Sequence, residues 1–597
     1  MSWQAWLTLA VVVVTVVALA SERVSPPGTI MAAVTFLLLT RVISSKSALS
    51  GFSNEAPFTI AALYVVAGAA QATGALQGAT GRILGSARRG SKRPGGVEML
   101  RLLAPTATVS AFIYNTPLVS TFAPRVSAWA QRAGRPVSWY LLPLNVAVLL
   151  GGMVTAIGTT TNVVITGLLS ASHRPTLGLF EPTLATLPVA VVGLLLICAV
   201  GPRLAGARAG PSQDFTSDGR EFTVEMMVRP GGGLAGSTVD EAGLRDLEGV
   251  YLFAVERDGA TIAPISPDLR LAAADRLVFA GNVTRILDLQ AMPGLRSAEA
   301  SHFSVVESTA DRRFHEGVVA SGGQLVGRSL KQIGFRSLYG GAVVAIHRSG
   351  ELVEGKLGSI PLHTGDVLLV LGPPDFSRRW SGSGDFALVA PIRGTSMAMH
   401  KRDTRIVEGV VLAFLVCAAT GILTVLQASL VAAMALLALR VITPRQAREA
   451  VNLNVLVVVC GSFGIGEAIG QSHLASHAAD LLVSAFGALG HRGILIAFLV
   501  TTVLITQVVT NNAAAVLMYP VGLALAAHAH MAQRPFVMAL VVGASASFLT
   551  PIGYQTNTIV YGMGGYRWRD FLRVGMPITV STVAVAAITI PLLFPLH

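Results

Sequence analysis

The sequence predicts a polytopic α-helical membrane protein with inverted repeats of about five spans plus a re-entrant hairpin each, and an inserted pair of small α+β domains. Three observations point there. Long apolar runs fill residues 1–202 and 403–597, while 203–402 is polar and charged. An Asn-rich polar tip interrupts an apolar stretch twice, at Ile113-Tyr114-Asn115-Thr116-Pro117 and Val509-Thr510-Asn511-Asn512-Ala513. A Gly/Thr/Asn break also falls twice in the middle of a membrane-length segment, at Gly158-Thr159-Thr160-Thr161-Asn162 and Gly553-Tyr554-Gln555-Thr556-Asn557. Helix-breaking polar residues at membrane depth are costly unless they line a cavity. Two matched copies indicate a substrate site where two repeats meet.

Composition agrees with this class. The chain is 52% apolar and 13% charged, against about 25% charged in soluble domains. A formal charge of +12 would suggest nucleic acid in a soluble protein. Here the basic residues are expected in cytoplasmic loops, and no basic, aromatic-interleaved face argues for a nucleic-acid partner. Cys198, Cys417 and Cys460 each sit in an apolar run without metal-ligand spacing, and read as small core residues. The first apolar run lacks a basic leader, and Pro26-Pro27 follows it. It reads as a membrane span.

Spans are expected near 5–20, 28–42, 56–77, 137–171 and 182–201, then near 404–419, 421–440, 451–471, 535–564 and 570–595. The stretches 102–122 and 493–522 hold the Asn-rich tips. Arg82, Arg88, Arg89, Lys92, Arg93 and Arg101 precede the first tip, and Arg125, Arg132 and Arg135 follow it. Positive charge on both sides suggests that the segment enters and returns from the cytoplasm. Asn or Thr suits the N-cap of the returning arm, and Pro suits its first turn. Five spans and a hairpin per half invert the second half and place the insert in the cytoplasm.

The insert is itself duplicated at an offset of 91 residues. Leu234-Ala235-Gly236 matches Leu325-Val326-Gly327; Arg257 matches Arg348, Asp275 matches Asp366 and Gly281 matches Gly372. Strands are expected at Val250–Val255 and Ala342–His347, followed by turns at Asp258-Gly259 and Ser349-Gly350. The domain expectation is therefore 1–202 and 403–597 for the transmembrane repeats, with modules at 203–298 and 299–402.

An anion could be held here by helix N-termini and neutral donors from Asn115, Thr116, Asn512 and Thr556. A coupling cation needs oxygens, which Asn115, Asn511 and the carbonyls exposed at Gly158 and Gly553 could supply. Thr159, Thr160 and Gln555, in the breaks themselves, complete the substrate-binding set. Glu467 lies in an apolar span, where a carboxylate could relay protons or face water at a helix end. His473, His477, His491, His528 and His530 are expected in outer loops, with no two placed as metal ligands.

Ala111-Phe112-Ile113-Tyr114-Asn115-Thr116-Pro117-Leu118-Val119, Gly151–Thr159 and Thr550–Asn557 resemble the divalent anion/sodium symporters of the ion-transporter superfamily. The duplicated insert resembles paired TrkA-C (RCK_C) domains. The resemblance implies an integral protein of the bacterial inner membrane that works as a homodimer in lipid. It also implies elevator-type alternating access coupling a small anion, sulfate or a di/tricarboxylate, to sodium. It implies sodium sites around Ser110, Asn115 and Gly158 and around Thr506, Asn511 and Gly553, with substrate contacts from Asn115, Thr116, Asn511 and Asn512. For the insert it implies a nucleotide or other small regulatory ligand. The family's usual Ser-Asn-Thr appears here as Tyr-Asn-Thr and Thr-Asn-Asn, which makes sulfate or another small oxyanion comparable with a dicarboxylate. A sodium/proton antiporter of the same fold and a ligand-gated cation channel are the alternatives. Gly553-Tyr554 resembles part of a potassium filter, but Pro551 and Gln555 interrupt the run.

Overall fold

Uninterrupted apolar runs close their own backbone hydrogen bonds, and helices fill both ends of the chain. A computed structural model describes residues 1–20, 24–75, 93–208, 401–551 and 553–597. In the insert it describes 222–281, 295–297 and 313–391, apart from short connecting stretches. Arg82, Arg88, Arg89, Lys92 and the turns Asp258-Gly259 and Ser349-Gly350 lie outside the described residues. Two compact units result. One holds Met1–Arg208, Ala320–Gly323 and Ser396–His597; the other holds Ala209–Val319 and Gln324–Thr395.

The helices of ten residues or more in the first part are α1 (Trp3–Ala20), α2 (Pro26–Leu39), α3 (Glu55–Ala72), α4 (Gly96–Ser110), α5 (Asn115–Arg132), α6 (Ser138–Gly152), α7 (Thr160–Ala171) and α8 (Glu181–Leu204). Those of the last part are α9 (Lys401–Thr420), α10 (Val425–Ala438), α11 (Leu453–Gln471), α12 (Leu474–Phe486), α13 (Gly490–Thr506), α14 (Asn511–His528), α15 (Gln533–Ser545), α16 (Gln555–Gly564) and α17 (Trp568–Leu593). Polar residues set their ends. Asn54 caps α3 by accepting from the Ala56 amide at 2.8 Å, and its Nδ2 donates to the Gly167 carbonyl in α7. Thr424 and Gln427 form a reciprocal capping box on α10.

The order of elements repeats between the two parts, and so does their packing. α2 packs on α11 as α10 packs on α3. α4 lies on α6 as α13 lies on α15. α5 meets α16 as α14 meets α7, and α8 pairs with α17. Among the described residues, α8, α11, the stretch Leu474–Thr506 and α17 are long and apolar enough to cross a membrane. α17 leaves large apolar side chains uncovered, with Val580 59%, Ile588 62% and Leu592 71% exposed. Such a face is stable in lipid and not in water.

One helix departs from the sequence expectation. α12 occupies a stretch read as an outer loop, so His477 lies within it and His473 at its start. His491 is in α13, and His528 closes α14, where its Nδ1 lies 2.7 Å from Asp480 of α12. The apolar stretch Leu474–Thr506 is not continuous either. A 3₁₀ turn at Gly487–Leu489 and Gly490, with φ +71°, divide it.

The polar unit contains two antiparallel sheets with one topology. In the first, β1 (Phe222–Val228), β2 (Val250–Arg257), β3 (Ala260–Ile262), β4 (Arg276–Gly281) and β5 (Leu295–Ser297) lie in the order β3-β2-β4-β1-β5. In the second, β6 (Arg313–Val319), β7 (Ala342–Arg348), β8 (Glu351–Leu352), β9 (Val367–Gly372) and β10 (Phe386–Pro391) lie in the order β10-β6-β9-β7-β8. One bulge corresponds as well, at Leu252/Ala254 in the first sheet and Val343/Ala345 in the second. The matched Arg–Asp pairs are buttresses. Arg257 Nε donates to Asp275 Oδ1 at 2.8 Å, and Arg348 Nε to Asp366 Oδ1 at 2.8 Å. Each Asp Oδ2 also accepts a backbone amide, from Ala272 at 2.7 Å and His363 at 2.8 Å. Both carboxylates are almost fully buried, so losing either arginine would strand a charge.

Glu316 on β6 lies opposite Leu369 of β9 and Ala390 of β10, and is buried. Burial pushes its carboxyl up to about 7. The folded state therefore holds a proton that the unfolded chain releases near the ordinary carboxylate range. The stability linked to this group is full below that range and is lost as pH rises toward about 7. Burial pushes His347 the other way, down to about 4, so its loss falls on the acid side. Glu316→Gln should raise the melting temperature of the full-length protein's insert at pH 8, by up to about 3 kcal/mol of stability, and change it little at pH 4. Equal shifts at both pH values would rule out this linkage.

Candidate functional site

The site is built where four helices stop inside the apolar unit. α4 ends at Ser110 and α5 begins at Asn115; α13 ends at Thr506 and α14 begins at Asn511. One hydroxyl closes each turn. Ser110 Oγ lies 2.9 Å from Asn115 Oδ1 and 2.7 Å from the Val148 carbonyl of α6. Thr506 Oγ1 lies 3.0 Å from Asn511 Oδ1 and 2.9 Å from the Ala544 carbonyl of α15. The two sets are related by one offset of 396 residues (110 to 506). The N-caps are Tyr114 and Thr510; Asn115 and Asn511 occupy the first helical position.

The second pair of breaks is stitched alike. Asn162 Nδ2 donates to the carbonyls of Thr155 at 2.8 Å and Met153 at 3.3 Å. Asn557 Nδ2 donates to those of Thr550 at 2.8 Å and Ser547 at 2.8 Å. The Gly158 amide donates to Thr155 Oγ1 at 3.2 Å, and the Gly553 amide to Thr550 Oγ1 at 3.1 Å. Those hydroxyls donate onward, Thr155 to the Ala111 carbonyl and Thr550 to the Gln507 carbonyl. Each broken helix is thereby tied to its neighbouring helix–turn–helix. The sequence reading missed Thr155, Thr550 and Gln507, although the spacing Thr-x-x-Gly-x-x-x-Asn recurs at 155–162 and 550–557 and could have revealed the two threonines.

Both breaks leave oxygen cradles. A Cβ at Gly158 would collide with the Gly152 carbonyl oxygen and sit 2.9 Å from those of Ser110 and Ala111. These carbonyls end α6 and α4, where the helix dipole is negative. A Cβ at Gly553 would lie 3.0 Å from Thr550 Oγ1 and 3.2 Å from the Thr506 carbonyl. Asn115 Oδ1 crowds the Cα of Gly152 in the same way. Neutral oxygens converging where a side chain would crowd them suit a hard, weakly charged cation. Among the described residues, no group of His, Cys, Asp or Glu could hold a metal ion.

Helix N-termini form the opposite lining. Thr160 Oγ1 and Thr161 Oγ1 donate to Asn512 Oδ1 at 3.1 and 3.3 Å, bringing α7 to α14. Thr116 Oγ1 donates to Gln555 Oε1 at 3.5 Å, bringing α5 to α16. Tyr554, in the second break, sets its hydroxyl beside Thr159, Asn115, Thr160 and Thr116. Thus Asn115, Thr116, Thr159, Thr160, Asn512 and Gln555 are brought together. Asn511 turns its oxygen toward Thr506, and Thr556 is fully buried with its hydroxyl unpartnered. Glu467 is exposed near the end of α11, with Oε2 3.1 Å from Gln471 Nε2. Gln71 at the end of α3 grips α5, donating to the Pro117 carbonyl at 2.8 Å and lying 3.1 Å from Ser120 Oγ.

Paired broken helices around neutral donors, within an apolar helical unit, define an integral membrane transporter and not an enzyme. A family model described as "Citrate transporter" (CitMHS) matches residues 16–543 and 487–596. The chain is 33% identical over 576 residues to the Chlamydomonas reinhardtii protein named "Putative sulfur deprivation response regulator", covering 94% of this chain and 97% of that one. It is 29% identical to an uncharacterized transporter of Synechocystis, over 99% and 97% of the two chains. It is 23% identical to sodium/sulfate cotransporter 1 of Chlamydomonas reinhardtii, over 98% and 89%. The chain belongs to the CitMHS citrate transporter family.

Removing a stitch should weaken the fold. Thr550→Val leaves the Gly553 amide without its acceptor and the Gln507 carbonyl without its donor, and should cost about 1–3 kcal/mol in thermal unfolding of the detergent-purified protein. Thr420→Val, which loses an exposed helical bond to the Val416 carbonyl, should cost far less. Equal melting of the two variants would remove the stitch from its supporting role.

Proposed function

We propose that this protein is a secondary transporter that couples uptake of a small divalent anion, sulfate or a di/tricarboxylate, to sodium. The observation that carries the reading is the matched hydrogen-bond stitching of both breaks at one spacing, with four helix N-termini gathered across the two halves. N-terminal dipoles and neutral amides hold an anion without a fixed cation, so the loaded and empty sites need no compensating charge. The carbonyl cradles at Gly158 and Gly553, with Asn115 and Asn511, are the proposed sodium sites. Asn115, Thr116, Thr159, Thr160, Asn511, Asn512, Gln555 and Thr556 are the proposed substrate set. The relative named a sodium/sulfate cotransporter supports this coupling.

In this reading the two halves are inverted repeats, and α4–α7 with α13–α16 move as a transport domain against α1–α3, α8 and their counterparts. The exchanged packing, α2 on α11 and α10 on α3, supports a two-fold relation. The proposed assembly is a homodimer in the bacterial inner membrane, its uncovered apolar faces meeting lipid or the second copy. The duplicated insert is read as a cytoplasmic pair of TrkA-C-like modules that bind a nucleotide or other small ligand and regulate transport.

Purified protein in proteoliposomes should take up sulfate, succinate or citrate only with an inward sodium gradient. Asn115→Ala and Asn511→Ala should each abolish that uptake while the protein still folds. Wild-type rates in either variant would refute the site. Gln71→Cys with Ser120→Cys, in a background without Cys198, Cys417 and Cys460, should be joined between α3 and α5 by a bifunctional thiol reagent with a reducible linker. Uptake should stop and return on reduction. Continued flux in the crosslinked state would favour a pore.

A further inference from the structure

The two halves agree in stitching and disagree in lining. Thr159 and Tyr554 are the N-caps of α7 and α16, with nearly the same extended backbone: φ −134°, ψ 147° and φ −150°, ψ 146°. Thr510 and Tyr114 are the N-caps of α14 and α5. Where the halves meet, α7 faces α14 and α5 faces α16. One facing pair of N-termini is therefore capped by two threonines, and the other by two tyrosines. Thr510 uses its hydroxyl locally, accepting from the Ala513 amide at 3.4 Å. Neither tyrosine caps its own helix. Tyr114 is 4% exposed and its hydroxyl has no partner. Its electrostatic neighbours are the hydroxyls of Tyr64 and Tyr554, and its ring meets that of Tyr64 edge-on with centroids 5.4 Å apart.

A dicarboxylate carries its two charges at opposite ends. Holding both desolvated ends requires two sets of donors, one at each facing pair of N-termini. A tetrahedral oxyanion concentrates its charge and needs one compact shell. Two phenol rings stand at the α5/α16 pair, and Tyr554 carries its hydroxyl across to Thr159 and Thr160 at the start of α7, so the α5/α16 pair offers no separate set of donors for a second carboxylate. We propose that Tyr114 and Tyr554 are specificity-determining residues that restrict the anion site to a single compact tetrahedral oxyanion. This rests on the sodium-coupled anion reading above.

The test compares sodium-driven uptake of radiolabelled sulfate with and without excess succinate in proteoliposomes. Wild-type protein should transport sulfate and be indifferent to succinate. Tyr114→Thr with Tyr554→Thr, which gives the α5/α16 pair the caps of the α7/α14 pair, should become inhibitable by succinate and begin to transport it. Tyr554→Phe keeps the ring and loses one donor. It should stay indifferent to succinate while its sulfate KM rises by about tenfold, as expected for one hydrogen bond to a charged group. Thermal stabilisation of the purified variants by each anion gives the same comparison if the double variant does not transport. A wild type that carries succinate as well as sulfate, or a double variant that still ignores succinate, overturns the specificity role alone. A wild type that carries neither of these anions nor citrate overturns the coupled-transport reading as well.

Discussion

A helix that stops inside an apolar environment leaves backbone amides and carbonyls that water cannot satisfy, and everything distinctive about this protein follows from how those groups are met. Each unsatisfied group costs several kcal/mol in lipid. Here a threonine three residues before the glycine, and an asparagine four residues after it, meet the carbonyls and amide of each break. The same threonines tie the break to the end of the adjacent helix. What remains unspent is directional. Helix C-termini turn carbonyl oxygens inward at Gly158 and Gly553, and helix N-termini turn amides toward the meeting point of the halves. In the proposed reading, these supply a cation side and an anion side from one architectural device, without a fixed charge.

That economy has a consequence for transport. In the proposed transport cycle, a site of dipoles would keep the same charge whether or not its ligands are bound, so only the ligands' own charges would need to balance as it moved. The gripping contact of Gln71 on α5 is made by hydrogen bonds to a carbonyl and two hydroxyls. It contains no ion pair whose separation would be expensive. One ion pair does cross the proposed boundary between moving and fixed helices, from Arg534 of α15 to Glu181 of α8. Arg534 also bridges to the carbonyls of Pro175 and Thr176, and Arg208 to Asp570. In the insert, the buried Arg–Asp buttresses give each module its own fixed core.

Much of this was legible in the chain. The apolar runs, the polar insert, the two tips and the two breaks are readable because each is a local pattern at a short period. The 91-residue repeat was readable because buried Arg–Asp pairs and the turns beside them tolerate little change in type. α12 was not readable. Its apolar run is short and broken by Ser476, His477, Asp480 and Ser484, and the histidines around it imitate a loop. The first strand of each insert module was expected without bounds, because Phe222–Val228 and Arg313–Val319 precede the repeated glycines that drew attention. Thr155 and Thr550 escaped as ordinary threonines, whose importance lies in their spacing to the glycine and asparagine.

The sequence by itself determined the fold class, the duplication in both the apolar part and the insert, and the residue types available at the breaks. Those follow from hydrophobic burial and from the intolerance of an apolar medium for free backbone groups, both of which act on neighbours in the chain. Only the tertiary structure decided which residues meet across several hundred positions: Thr160 and Thr161 with Asn512, Thr116 with Gln555, Asn145 with Asn557. It also decided that the two tyrosine caps fall on one facing pair of helices and the two threonine caps on the other. No local period encodes that pairing. It is set by how the exchanged helices pack, which depends on the shape of every side chain between them.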